Sequence, residues 1–101
     1  MVHTFVRHKV KDYPSWKRGF DAFVENRAAA GERKWWISHV AGDPNNLVLW
    51  FEWDNAENAR KFLESDQLKE AMKRAGVLEE PEIYILEEVA RGETRSASVK
   101  R

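Results

Sequence analysis

Between the turn-forming "GDPNN" (42–46) and an aspartate at position 54 runs "LVLWFEW" (47–53), a stretch that is apolar on both sides. In a β-strand, successive side chains point to opposite faces. Leu47, Leu49, Phe51 and Trp53 would therefore line one face, and Val48, Trp50 and Glu52 the other. One of these faces has to meet the chain's own core, and the odd face, Leu47 to Trp53, is the one expected on the helix side. A chain of 101 residues builds one modest core and not two, so the second apolar face needs a different explanation.

The flanking segments say what kind of sheet this strand joins. "VHTFVRHKV" (2–10) alternates like a half-buried strand. Asp12 is placed to cap a helix that tolerates Pro14 in its first turn and carries Trp16, Phe20 and Phe23 as one apolar stripe. Gly31 is its natural end. "RKWWISHVA" (33–41) is aromatic and β-branched, and the turn residues after it predict a hairpin with the third strand. Asp54 with Glu57 has the spacing of a capping box, opening a helix with Ala59, Phe62 and Leu63. At "ESDQ" that helix kinks or restarts, with Asp66 capping a second piece that carries Leu68, Ala71, Met72 and Ala75 and ends at Gly76. Pro81 precedes a fourth strand, "EIYILEEV" (82–89), and 90–101 lacks any apolar period and reads as a loose tail. The order is βαββαβ. It predicts one α+β, ferredoxin-like domain over 1–89, a four-stranded antiparallel sheet with two helices on one face.

Two helices leave the other sheet face uncovered, yet the third strand is apolar on both faces, the second offers Trp35 to one face and Trp36 to the other, and the fourth sets Ile83 and Ile85 against Tyr84 and Leu86. An uncovered apolar face of this kind marks an interaction surface, and a second copy of the chain, sheet against sheet, is the economical partner. The plainer alternative is a partly wet sheet coated with aromatic residues. With 17 basic and 17 acidic residues the formal charge is zero, which argues against a nucleic-acid or acidic-membrane partner. The chain has no cysteine, which excludes disulfides and thiolate chemistry, and no apolar run long enough to span a bilayer. Its alternating N-terminus does not read as a signal peptide, so a cytoplasmic protein is expected.

Four segments carry a resemblance: "FVRHKVKDYPSWK", "FEWDNAENARKFLES", "LKEAMKRAGV" and "PEIYILEE". Together they resemble a family of small dimeric α+β-barrel proteins, often labelled cyclase-like, related to the antibiotic-biosynthesis monooxygenases. The resemblance spans residues 1–89. It implies protomers paired through their sheets, each with a small pocket between sheet and helices. In the wider superfamily it implies oxygenation of aromatic polyketides or of haem without a separate flavin or metal. The haem-degrading branch uses an Asn, Trp and His set whose spacing is not met around His39, Asn45, Asn46 and Trp50.

Several residues are candidates for chemistry. His8 shares a strand face with Val2, Val6 and Val10; on the helix side it would be a general base at a pocket mouth, or else a core-edge histidine bonded to backbone or to Asp12. Arg27 continues the stripe of Trp16, Phe20 and Phe23, where it would hold a substrate carboxylate or enolate, or else snorkel and complement the helix end. Tyr13, Trp16 and Trp50 would line an aromatic pocket, or simply be core. The face of His39 depends on hairpin register, since pairing with Leu49 or with Val48 sends it to opposite sides. Glu52, the one charge on the even face, needs a partner. Three histidines without carboxylates at ligand spacing make no metal site, and no cofactor-binding motif is present. The resulting expectation is a cofactor-free monooxygenase or cyclase acting on an aromatic or enolisable small molecule. The alternative is a non-catalytic dimer that binds a hydrophobic metabolite or serves as an accessory subunit.

Overall fold

The structure is a computed structural model and describes residues 2–95. Strand β1 (Val2–Lys9) is followed by helices α1 (Tyr13–Ala22) and α2 (Val24–Ala30). The hairpin of β2 (Glu32–Val40) and β3 (Asp43–Trp53) comes next, then α3 (Ala56–Leu63), α4 (Asp66–Arg74) and β4 (Glu82–Glu87). The sheet is antiparallel throughout in the order β2-β3-β1-β4, the ferredoxin-like arrangement expected from the sequence. Residues 88–95 form neither helix nor strand, and the rest of the predicted tail, 96–101, lies outside the described residues. Among the described residues no helix is long and apolar enough to cross a membrane.

The second predicted helix restarts at "ESDQ" as expected, giving α3 and α4, but the first is also a pair of short helices. Asp12 caps α1 as expected, its carboxylate accepting the Ser15 N–H at 3.0 Å. The helix then breaks at Phe23 (φ −94°, ψ 9°), so the stripe Trp16, Phe20, Phe23, Arg27 is carried by two helices. Gly31 ends α2 in the left-handed region at φ 111°, and a Cβ there would lie 2.4 Å from an Asp54 carboxylate oxygen. That packing explains a correction. Asp54 sits over Gly31 and accepts from the Asn58 side chain, so the cap of α3 is Asn55, whose side chain takes the Asn58 N–H at 2.8 Å. Likewise Ser65, not Asp66, caps α4 by accepting the Leu68 N–H.

The hairpin also differs from expectation. Its turn is only Ala41 and Gly42, the latter at φ 82°, and Val40 pairs with Asp43. Residues 44–46 then bulge out before His39 pairs with Leu47, so neither predicted pairing of His39 occurs. The bulge has an evident role. Asn45 accepts the Val10 N–H through its backbone and the Tyr13 N–H through its side chain, both at 2.9 Å, which ties the hairpin to the start of α1.

With that register Leu47, Leu49, Phe51 and Trp53 are buried under the helices, together with Thr4, Val6 and His8 of β1. This is the side to which sequence pattern assigned them. Trp53 is 1% exposed and donates its indole N–H to Thr4 Oγ1 at 2.9 Å, so its burial leaves no unpaired donor. The opposite face carries Phe5, Trp36, Trp50 and Tyr84, with Trp36, Trp50 and Tyr84 exposed. Glu52 lies on that face, and its partner is in its own chain, His3 Nε2 at 3.5 Å.

Candidate functional site

A cavity of about 80 Å³ lies between the buried face of the sheet and the helices. Its walls are apolar: Trp16 and Phe20 from α1, Phe51 from β3, and Leu68 and Met72 from α4. The aromatic wall is ordered as a stack. Trp16 lies between Tyr13 (centroids 6.0 Å apart) and Phe20 (5.1 Å), and Phe20 continues onto Phe51 at 6.2 Å. Polar side chains enter this lining at two places, His8 and the pair Arg27 and Glu32.

His8 is placed by strand alternation, with Val6 and Val10 as its neighbours on the buried face. Its ring is 3% exposed and meets Trp16 edge-on, with centroids 5.8 Å apart. Neither ring nitrogen has a hydrogen-bond partner among the described residues. The bond to backbone or to Asp12 is therefore not made, and the Asp12 carboxylate is already engaged in capping α1. Burial without a partner disfavours the charged ring and lowers its pKa from 6.5 to about 4. At neutral pH the cavity lining thus includes an uncharged imidazole whose ring nitrogens make no hydrogen bond among the described residues.

This has a consequence for stability. The unfolded chain takes up a proton at His8 near pH 6.5 and the folded chain only near pH 4. The stabilising contribution is present above pH 6.5 and is lost as pH falls from there to about 4, by about 3 kcal/mol in all. Urea unfolding at several pH values, with His8→Phe as the control that flattens this stretch of the profile, measures it. A profile identical in both proteins would contradict the placement of His8.

Arg27 is 4% exposed, so it does not snorkel. Its guanidinium lies over the Phe20 ring, 3.6 Å from the centroid, and Nη1 donates to the Phe20 carbonyl. Nε donates to Glu32 Oε2 at 3.0 Å, with both side chains 5% exposed. Glu32 is the first residue of β2, brought back toward α2 by the turn at Gly31. Burial pushes its carboxyl pKa up, against the pull of Arg27. Arg27 therefore comes to the cavity with its charge already matched, unlike the free cation that the sequence stripe suggests.

The other candidates separate. Trp16 lines the cavity, while Tyr13 supports it from behind. His39 is exposed near the hairpin turn, its Nδ1 3.0 Å from the Val40 carbonyl oxygen. Trp50 is on the far face of the sheet, tilted against His3 and edge-on to Phe5. Neither His39 nor Trp50 reaches the cavity, because alternation sends Trp50 to the other side and the bulge moves His39 to the end of the sheet.

No protein-family model matches the chain, and no curated protein matches it. Solved structures do. One labelled an antibiotic biosynthesis monooxygenase from Bordetella bronchiseptica aligns with a TM-score of 0.71 at 16% identity, covering 88% of this chain and 97% of that one. SnoaB, a cofactor-independent oxygenase from Streptomyces nogalater, aligns with a TM-score of 0.69 at 16% identity, over 91% and 94% of the two chains. One with the same monooxygenase label from Nitrosomonas europaea gives 0.66 at 19% identity, over 89% and 100%. The chain shares the ferredoxin-like α+β fold of these structures. This is the fold that the four sequence segments resemble.

Within this cavity, Glu32 is the residue that sequence reading missed. A signal was present: Arg27 lies on an apolar stripe, and a buried arginine calls for a nearby acid. Glu32 follows immediately after the helix-ending glycine.

Proposed function

We propose that the protein is a cofactor-independent monooxygenase whose substrate is a small aromatic molecule with an acidic C–H, bound in the cavity between sheet and helices. The observation that carries this is His8, a neutral imidazole with no partner among apolar walls. A ring in that state accepts a proton from a bound carbon acid, and it becomes a stronger base once an enolate's charge lies beside it. The electron-rich carbanion reduces dioxygen by one electron, and the radical pair combines to a peroxide anion, which takes back the proton from His8. The hydroperoxide then loses water, its remaining C–H proton leaving with the departing hydroxide, and a carbonyl is left. Overall, CH₂ and O₂ become C=O and H₂O, and the substrate supplies all the electrons. The aromatic stack from Trp16 to Phe51 holds the ring flat. The fold shared with a cofactor-independent oxygenase supports the reading without supplying a substrate.

In the same proposal the exposed aromatic face of the sheet receives a second copy of the chain.

The test of activity is oxygen uptake with a bicyclic ketone that bears an acidic methylene, such as 2-tetralone. One O₂ should be consumed per new carbonyl, and His8→Phe should lower the rate by about 10²–10⁴-fold. Uptake unchanged by His8→Phe would refute the role of His8. Tight binding without any uptake would leave a non-catalytic metabolite binder.

A further inference from the structure

Glu32 is in the cavity lining, at a sheet position well away from His8, and raises a question that the Arg27 pair does not answer. Oε2 receives the Arg27 N–H, but Oε1 has no partner among the described residues, although the side chain is 5% exposed. A buried carboxylate oxygen without a donor is destabilising, and anything that offers it an O–H or N–H relieves that. The feature that would usually explain a buried arginine in a ligand cavity, capture of an anion, does not apply here. The charge of Arg27 is matched by Glu32, its Nη1 is bonded to the Phe20 carbonyl, and a ligand carboxylate at this end would face the carboxylate already there.

We infer that Glu32 determines specificity: its free Oε1 selects aromatic ligands with a neutral hydrogen-bond donor, a hydroxyl or N–H, at this end and rejects those with a carboxylate. The inference rests on the reading of the cavity as a ligand site. It concerns a different end of that cavity from the proposed chemistry. His8 pairs with Leu47 and Glu32 with Trp53, six residues apart along β3, or about 20 Å of strand. A bicyclic probe touching Glu32 is too short to reach the backbone position of His8 as well. The two polar ends can therefore be tested apart.

Equilibrium dialysis with naphthalene, 2-naphthol and 2-naphthoate tests this on the wild type, Glu32→Gln and His8→Phe. The wild type should bind 2-naphthol about tenfold or more tighter than naphthalene, and 2-naphthoate more weakly than either. In Glu32→Gln the 2-naphthol advantage should fall below about threefold and 2-naphthoate should gain, because Arg27 then carries an unmatched charge. His8→Phe should keep the wild-type ranking. A wild type that binds 2-naphthoate as well as 2-naphthol overturns the inference without needing any variant to fold. So does loss of the ranking in His8→Phe together with its survival in Glu32→Gln. If the wild type binds none of the three, the cavity is not a ligand site and both readings fall; if it binds naphthalene without the ranking, only the role of Glu32 does.

Discussion

Arg27→Ala is expected to destabilise the fold by about 3–5 kcal/mol, the range for breaking a buried ion pair by removing one member. Three losses coincide. Glu32 keeps a carboxylate in a site that is 5% exposed with no counter-charge, the Phe20 carbonyl loses its donor, and the Phe20 ring loses the guanidinium packed 3.6 Å above it. The first dominates, because an uncompensated buried charge is much costlier than a lost neutral hydrogen bond. Removing Glu32 as well should therefore restore part of the stability. Urea denaturation of Arg27→Ala, Glu32→Ala and the double variant closes the cycle. The double should be less damaging than the sum of the singles by at least about 1 kcal/mol. A single Arg27→Ala change of under about 1 kcal/mol would mean that the pair is solvated, as exposed pairs are.

Trp50→Asp is expected to split the proposed dimer into chains of 11.8 kDa in sedimentation equilibrium, while the wild type sediments at twice that mass. Trp50 packs edge-on against Phe5, which in turn lies 6.0 Å from Tyr84, so the exposed face is a continuous aromatic surface. Trp50 lies in the central strand β3, flanked by Trp36 on β2 and Phe5 on β1. An aspartate there would share the face with Glu52 two residues on, and sheet-to-sheet packing would bury it unpaired. The variant should still fold, since this face supplies none of the residues of the buried core. A wild type at 11.8 kDa in the micromolar range would end the proposal, and a dimeric Trp50→Asp would move the interface elsewhere.

The fold was legible because the signals that specify it are local and periodic. Alternation over 2–10, the stripe of Trp16, Phe20 and Phe23, and the doubly apolar strand at 47–53 each name an element and its buried side. What stayed hidden depends on how elements meet. The turn residues "GDPNN" announce a hairpin, but whether Pro44, Asn45 and Asn46 sit in the turn or bulge from the strand depends on Val10 and Tyr13, which Asn45 satisfies from across the sheet. Register, and the position of His39, followed from that. Asp54 and Asn55 are both good caps by residue type, and the close approach of Asp54 to Gly31 decided between them. His8 could be assigned a face from sequence. That its nitrogens would be left without partners could not, because this is a property of everything around it. Arg27 was visible as an oddity, and its partner was not, because the turn that returns Glu32 to it is a matter of geometry at Gly31.

Helix α4 closes one side of the cavity with Leu68 and Met72, yet none of its own residues is buried. The opposite wall is the sheet, where Leu49 and Trp53 are 4% and 1% exposed and every strand is paired. The enclosure is therefore mechanically lopsided, stiff on one side and compliant on the other. At about 80 Å³ it is smaller than the roughly 150 Å³ known to admit benzene, so a bicyclic guest must make room for itself. The least-anchored element yields first. Bounded by the cap at Ser65 and by Gly76 at φ 87°, α4 can shift outward as a unit while the sheet that carries His8 stays put. Guest size would then be set by the compliance of one nine-residue helix, and chemistry by a strand that does not move.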